Sequence, residues 1–239
     1  MGEANLPVKL QKVIRSFIED LSSLYKEDLV SVILYGSAAS GEYVGVYSNV
    51  NIAVFLKDAQ LKNIAKSSRL MRKYCTISPT FFTEKFIRSS ADVFPIEFLD
   101  MKENHLVLYG PDLFKDLEID IRNLRFQCEQ ELKAKIINMK KSYIETGAAS
   151  SLRNILFKFF GSALHILRNV VRLKGRTPPY KKDDIITELS VGLGIDVTNM
   201  RAIQNAKIGK TVLKNKDVEN LFFEFANDLE AISEIIDKS

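Results

Sequence analysis

Between Leu34 and Phe55 the chain sets Gly36 and Ser37 at the end of an apolar, β-rich run. A spacer of eleven residues later, it sets Asn49 and Asn51 inside a second apolar run. A Gly-Ser turn at a strand end opens backbone N–H groups and a hydroxyl to a phosphate, because glycine lacks the Cβ that would block close approach. Ser48, next to the doublet, is counted with this candidate phosphate site. Two apart on a strand, Asn49 and Asn51 project from one face. Each could lend an amide oxygen to a cation, but that oxygen is a neutral, weak ligand and the amide NH2 is a donor no metal wants. Taken singly, either feature is commonplace, since Gly-Ser at a strand end is usually only a turn.

The elements that must position these residues fall into two halves. Apolar residues at Leu10, Val13, Ile14, Phe17, Ile18, Leu21 and Leu24 predict a helix over 8–26. Strands are predicted over 29–35, 51–56, 79–82, 94–101 and 105–109, with Asp58 capping a helix that runs to about Tyr74. This alternation predicts a five-stranded mixed sheet with flanking helices, a module over 1–118. From residue 119 the pattern is helical only: 119–146, 152–174, 181–192, 196–206 and 217–236. Gly147 and the residues after it end the first of these helices, and Gly175 with Pro178-Pro179 ends the second. The second helix is apolar around most of its circumference, which puts it at the centre of an antiparallel bundle over 119–239.

The conjunction of strand, Gly36-Ser37, spacer and polar doublet, after an opening helix and before a helical half, resembles the nucleotidyltransferase superfamily, of the DNA polymerase β and kanamycin nucleotidyltransferase type. The resemblance implies an α+β fold with a mixed sheet, followed by an all-α antiparallel helical bundle domain. In that family Gly-Ser is followed by Asp-x-Asp, whose carboxylates hold Mg²⁺ ions that bind an NTP, activate the attacking hydroxyl and stabilise the leaving pyrophosphate. A third carboxylate on a neighbouring strand completes the metal site and acts as base. Carried over residue by residue, Gly36 and Ser37 match the phosphate turn, and Asn49 and Asn51 sit at the two aspartate positions. Glu97 is the candidate third acid and catalytic residue, with Asp100 its rival on the opposite face of the expected strand. The arginine common after Gly-Ser is missing, and Ala38-Ala39-Ser40 stands there.

With Asn49, Asn51 and Glu97 as its ligands, the implied metal site is degenerate. Losing two formal charges beside a dication removes several kcal/mol of attraction even at an effective dielectric of about 20. Three explanations remain open: a natural pseudoenzyme, an enzyme using one metal held by Glu97 and substrate phosphates, and a laboratory aspartate-to-asparagine variant. The expected function is a catalytically impaired nucleotidyltransferase-fold protein that keeps a nucleotide cleft. The alternatives are an active Mg²⁺-dependent transferase acting on a hydroxyl acceptor, and a non-catalytic interaction module whose bundle mediates dimerisation.

Composition excludes several other classes. Hydrophobic residues at 46% and charged residues at 27% fit a globular chain without a membrane span, and a net charge of +4 does not indicate a nucleic-acid partner. The first residues carry neither a basic nor an apolar leader segment, which predicts a cytoplasmic location. Cys75 and Cys128 lack zinc-site spacing and read as reduced, half-buried thiols. His165, beside Leu164 and Ile166, reads as a core histidine. Lys62, Lys66, Arg69 and Lys73 share one face of the expected helix and read as a solvated stripe. Ile208-Gly-Lys-Thr211 lacks the first glycine of a P-loop, because position 204 is glutamine. Tyr35, Tyr43 and Tyr47 flank the Gly-Ser loop and read as packing residues.

Overall fold

The computed structural model describes residues 6–40, 50–146 and 149–237. It divides into two compact units, Met1–Ile119 and Asp120–Ser239.

In the first unit, α1 (Val8–Tyr25) buries Leu10, Ile14, Phe17, Leu21 and Tyr25, spaced three or four apart along one face. Then come β1 (Leu29–Tyr35), β2 (Val50–Leu56), α2 (Leu61–Ile64), α3 (Ser68–Lys73), β3 (Ile77–Phe82), α4 (Glu84–Ser90), α5 (Pro95–Glu103) and β4 (His105–Tyr109). The four strands form a mixed sheet in the order β3-β2-β1-β4. β1 runs antiparallel to both β2 and β4, while β2 and β3 are parallel. Both faces are covered, which is why β1 and β2 read as nearly continuous apolar runs. On one face Val32, Leu34, Ile52 and Val54 pack under α1 and Tyr74. On the other, Ile33, Ala53, Phe55 and Phe82 pack under Ile87, Phe98, Met101 and Phe114.

Three expectations are corrected here. The strand expected over 94–101 is the helix α5, so among the described residues the sheet has four strands. Pro95 stands in the first turn, where its fixed φ suits a helix, and the buried residues Pro95, Phe98 and Met101 recur every three positions. In so short an apolar run that spacing is easily mistaken for alternation. The expected helix from Asp58 to Tyr74 is broken into α2, a 3₁₀ turn over Ala65–Ser67, and α3. Side chains there compete for backbone groups: Asp58 Oδ1 accepts the Gln60 amide at 2.9 Å, Asn63 Nδ2 donates to the Asp58 carbonyl at 2.7 Å, and Ser67 Oγ donates to the Ile64 carbonyl at 2.7 Å. Finally, α4 was not expected; Thr83 caps it by accepting the Phe86 amide at 3.0 Å.

Of the four-cation stripe, Lys62, Lys66 and Arg69 are exposed, while Lys73 reaches back to α1. Its Nζ lies 2.7 Å from Asp20 Oδ2, which also accepts the Tyr74 hydroxyl at 2.7 Å. Those hydrogen bonds, first from Lys73 and then from Tyr74, hold the Asp20 carboxyl below its ordinary range and push Lys73 up to about 12. A lowered carboxylate stabilises the fold above the ordinary carboxylate range and loses that contribution as pH falls through the folded value. Asp20→Asn is therefore expected to lower neutral-pH stability slightly, as the loss of an exposed pair implies, and to flatten the acid limb of the stability curve by that same small amount. Denaturation midpoints across the acid range check this.

The second unit holds α6 (Ile121–Thr146), α7 (Ala149–Leu173), α8 (Lys182–Leu193), α9 (Thr198–Lys207) and α10 (Asn215–Asp237). α7 packs against all four others. Its C-terminal stretch is buried around the whole circumference, including Ile166, Leu167, Val170 and Val171. Phe160 on α7 meets Phe225 on α10 edge-on at 5.7 Å. Gly175 ends α7 at φ +72°, and Gly194 ends α8 at φ +67°. His165 is exposed rather than part of the core. It shares its face of α7 with the exposed Lys158 and Ser162, seven and three residues earlier, while Leu164 and Ile166 turn inward. Of the two thiols, Cys128 is buried and Cys75 exposed. Among the described residues, no helix is long and apolar enough to cross a membrane.

Candidate functional site

β1 ends at Tyr35 and turns sharply at Gly36, whose φ of +75° is a left-handed conformation that favours glycine. The turn is pinned on both sides. The Gly36 amide donates to the Asn104 carbonyl at 3.1 Å, which ties it to the start of β4. The Gly36 carbonyl accepts the amides of Ala39 at 2.9 Å and Ser40 at 3.0 Å, closing a 3₁₀ turn over Gly36–Ala38. Ser40 Oγ donates to the Ser37 carbonyl at 3.3 Å, and Ala38 is fully buried. Ser37 is left half-buried, two residues beyond the last residue of β1.

Sheet register decides what lies beside this turn. Tyr35 pairs with Asn51 on β2 and with His105 on β4, and Asn51 pairs with Ser78 on β3. Paired residues point to the same face, so Ser78, Asn51, Tyr35 and His105 form one polar row across all four strands. Ser78 is exposed and the other three are half-buried. The next row inward is Thr80, Ala53, Ile33 and Val107, so beneath the polar row the face turns apolar.

The Tyr35 hydroxyl lies 3.4 Å from Thr80 Oγ1. Two strand spacings, about 10 Å, separate β1 from β3, so the phenol ring must run diagonally over β2 from the Asn51 row to the Ala53 row. The small side chain of Ala53 leaves room for it. At the other end of the row, His105 Nδ1 donates to the Lys102 carbonyl at 2.8 Å, and Nε2 lies 3.1 Å from Asp112 Oδ2. The carbonyl can only accept, so Nδ1 carries a hydrogen in that bond and Nε2 faces the carboxylate. The other Asp112 oxygen accepts the amides of Phe114 at 3.0 Å and Lys115 at 3.1 Å. Burial acts to raise the Asp112 carboxyl, but the hydrogen bonds from His105 and Phe114 outweigh it and hold the group below its ordinary value.

Of the residues singled out in the sequence, Gly36, Ser37 and Asn51 meet at this end of the sheet. Ser48 and Asn49, like Tyr43 and Tyr47, lie outside the described residues. Glu97 is half-buried on α5, not on a strand beside β2. Three positions apart on a helix, Glu97 and Asp100 lie on adjoining faces, not on the opposite faces that strand alternation implied. Sequence reasoning missed Ser78, which only the β2–β3 register identifies as the neighbour of Asn51. Among the described residues, no group of three or more His, Cys, Asp and Glu side chains could hold a metal ion.

Comparisons with known proteins bear on the fold. No known protein-family profile matches the chain. Over 103 residues, covering 41% of this chain and 96% of the other, it is 29% identical to a proposed protein adenylyltransferase of Methanocaldococcus jannaschii. In fold it is similar to a spectinomycin adenyltransferase from Enterococcus faecialis, whose crystal structure contains ATP and spectinomycin. The TM-score is 0.56 at 13% identity, over 92% of this chain and 99% of that one.

Proposed function

We infer that this chain, a nucleotidyltransferase-superfamily protein by its fold and its sequence likeness, keeps a nucleotide-phosphate cleft at the Gly36-Ser37 end of its sheet but is impaired in nucleotidyl transfer. The observation that carries this reading is the composition of the row beside the turn. In the family pattern the two strand-borne aspartates and a third acid on a neighbouring strand hold Mg²⁺. Here Asn51 stands at the second aspartate position, Asn49 by sequence at the first, and the neighbour in register on the adjoining strand is Ser78. Amides and hydroxyls supply hydrogen bonds and no negative charge. They can orient a phosphate chain, but they cannot take a proton from an attacking hydroxyl or offset a dication.

ATP in the spectinomycin adenyltransferase structure supports a nucleotide as the ligand class. The pinned Gly36 turn supports a preformed phosphate subsite, because holding the backbone in place before the ligand arrives lowers the cost of binding. The decisive experiment incubates the full chain with each α-labelled NTP and Mg²⁺, with and without small hydroxyl acceptors and protein acceptors. Nucleotide is expected to bind while pyrophosphate release stays at background. Label transfer by the wild-type chain would overturn the impaired reading and restore Glu97 as candidate metal ligand and base.

A further inference from the structure

The family implies Mg²⁺, and the donor set of this row does not fit it. Mg²⁺ is a hard cation that gives up its waters reluctantly and is held through carboxylates. Ser78, Asn51 and Tyr35 present a hydroxyl, an amide and a phenol in register, with no carboxylate in the row. The histidine that ends the row has both ring nitrogens engaged, and the carboxylate behind it is shared among His105, Phe114 and Lys115.

We propose that the Ser78–Asn51–Tyr35 row takes the polyphosphate of a nucleotide directly, free of divalent cation, so that Mg²⁺ opposes binding instead of promoting it. This rests on the nucleotide-cleft reading above and assigns the ligand of that cleft as the metal-free polyphosphate anion. The physical basis is a reversal of roles at one surface. Carboxylates repel phosphate oxygens and need a dication between them. An amide NH2 and hydroxyls donate hydrogens to those same oxygens with nothing in between, and hydrogen bonds to an ionised acceptor are the strong kind. When Mg²⁺ is chelated by the polyphosphate, it occupies the oxygens these donors need and turns its positive charge and bound water toward the amide hydrogens. Ile33, Ala53 and Phe55 form a buried apolar floor beneath the row, which offers no charge to offset that repulsion.

The test is calorimetric titration of the full chain with ATP and with inorganic tripolyphosphate, each in EDTA and in excess MgCl2. Both ligands are expected to bind in EDTA, and Mg²⁺ is expected to weaken each by about tenfold or more. The double variant Asn51→Asp, Ser78→Glu is expected to reverse the sign and require Mg²⁺, with circular dichroism confirming its fold; the wild-type titrations stand without it. ATP that binds equally or more tightly with Mg²⁺ overturns this inference and leaves the nucleotide cleft standing. ATP binding in EDTA without tripolyphosphate binding also overturns it, because the row would then not be the phosphate subsite. No binding of either ligand under either condition overturns the nucleotide cleft itself.

Discussion

Gly110→Ala is expected to destabilise the first unit by about 3–5 kcal/mol, combining a left-handed backbone penalty with overpacking that has nowhere to relax. Gly110 follows β4 at φ +74°, and a Cβ built there would lie 2.1 Å from the Val30 carbonyl oxygen and 3.0 Å from the Ser31 Cα. Both are backbone atoms of β1, held in the middle of the sheet. Neither can swing aside as a side chain would. The same corner is tied by the fully buried Ser31, whose hydroxyl lies 2.9 Å from the Tyr109 carbonyl and 2.7 Å from the Pro111 carbonyl. Moving Gly110 outward would therefore strain those bonds too.

The protein supplies its own control. Gly175 has nearly the same φ, +72°, but nothing lies within 4 Å of its added Cβ. Gly175→Ala should cost only the conformational part, about 1–2 kcal/mol. Denaturant midpoints of the two variants, read alongside amide exchange on β1 and β4, check the contrast. Equal destabilisation at the two sites would mean that β1 does not pass against Gly110 as described.

The second large effect is expected from Phe55→Ala, at about 3–5 kcal/mol, as for the loss of a fully buried phenylalanine. Phe55 is 0% exposed on β2, with ring centroids 5.9 Å from Phe82 and 5.7 Å from Phe114. These three rings join β2, β3 and the segment after β4 on the face that also carries the polar row. Removing the central ring leaves a cavity that the β1–β2–β3 ladder keeps from collapsing. The midpoint should fall with little change in the denaturant slope, since the same surface is exposed on unfolding. A loss below about 1.5 kcal/mol would show that this layer is not packed as described. Because the row stands on this layer, the variant should also bind metal-free polyphosphate more weakly than wild type.

Local regularities in the chain carry much of this architecture. The α1 face, the runs that become β1 and β2 and the glycine end of α7 follow from spacing and turn chemistry within a few residues of each position. The breakdowns share a cause. In 94–101 a short apolar run fits two periods, and Pro95 in the first turn, with core contacts from Phe98 and Met101, selects the helix. After Asp58 the apolar pattern allowed one long helix, but Asn63 and Ser67 give their side chains to nearby carbonyls and split it. His165 sits between two inward-facing residues, and only the packing of its neighbours shows which way one helical position turns.

The same division holds at the site. The Gly36-Ser37 turn and the Asn49/Asn51 doublet are covalent facts, and their neutrality is written in the chain. Residue type fixes charge before any folding, so the loss of acid at those positions needed no coordinates. The third neighbour, by contrast, is a matter of register. Ser78 comes beside Asn51 because β3 aligns in parallel with β2 after a crossover of some twenty residues, and Glu97 stays on α5 because helix and sheet pack there through Phe98 and Met101. Hydrogen-bonded pairing between distant segments leaves no mark at either position alone, since it is set by how whole faces bury.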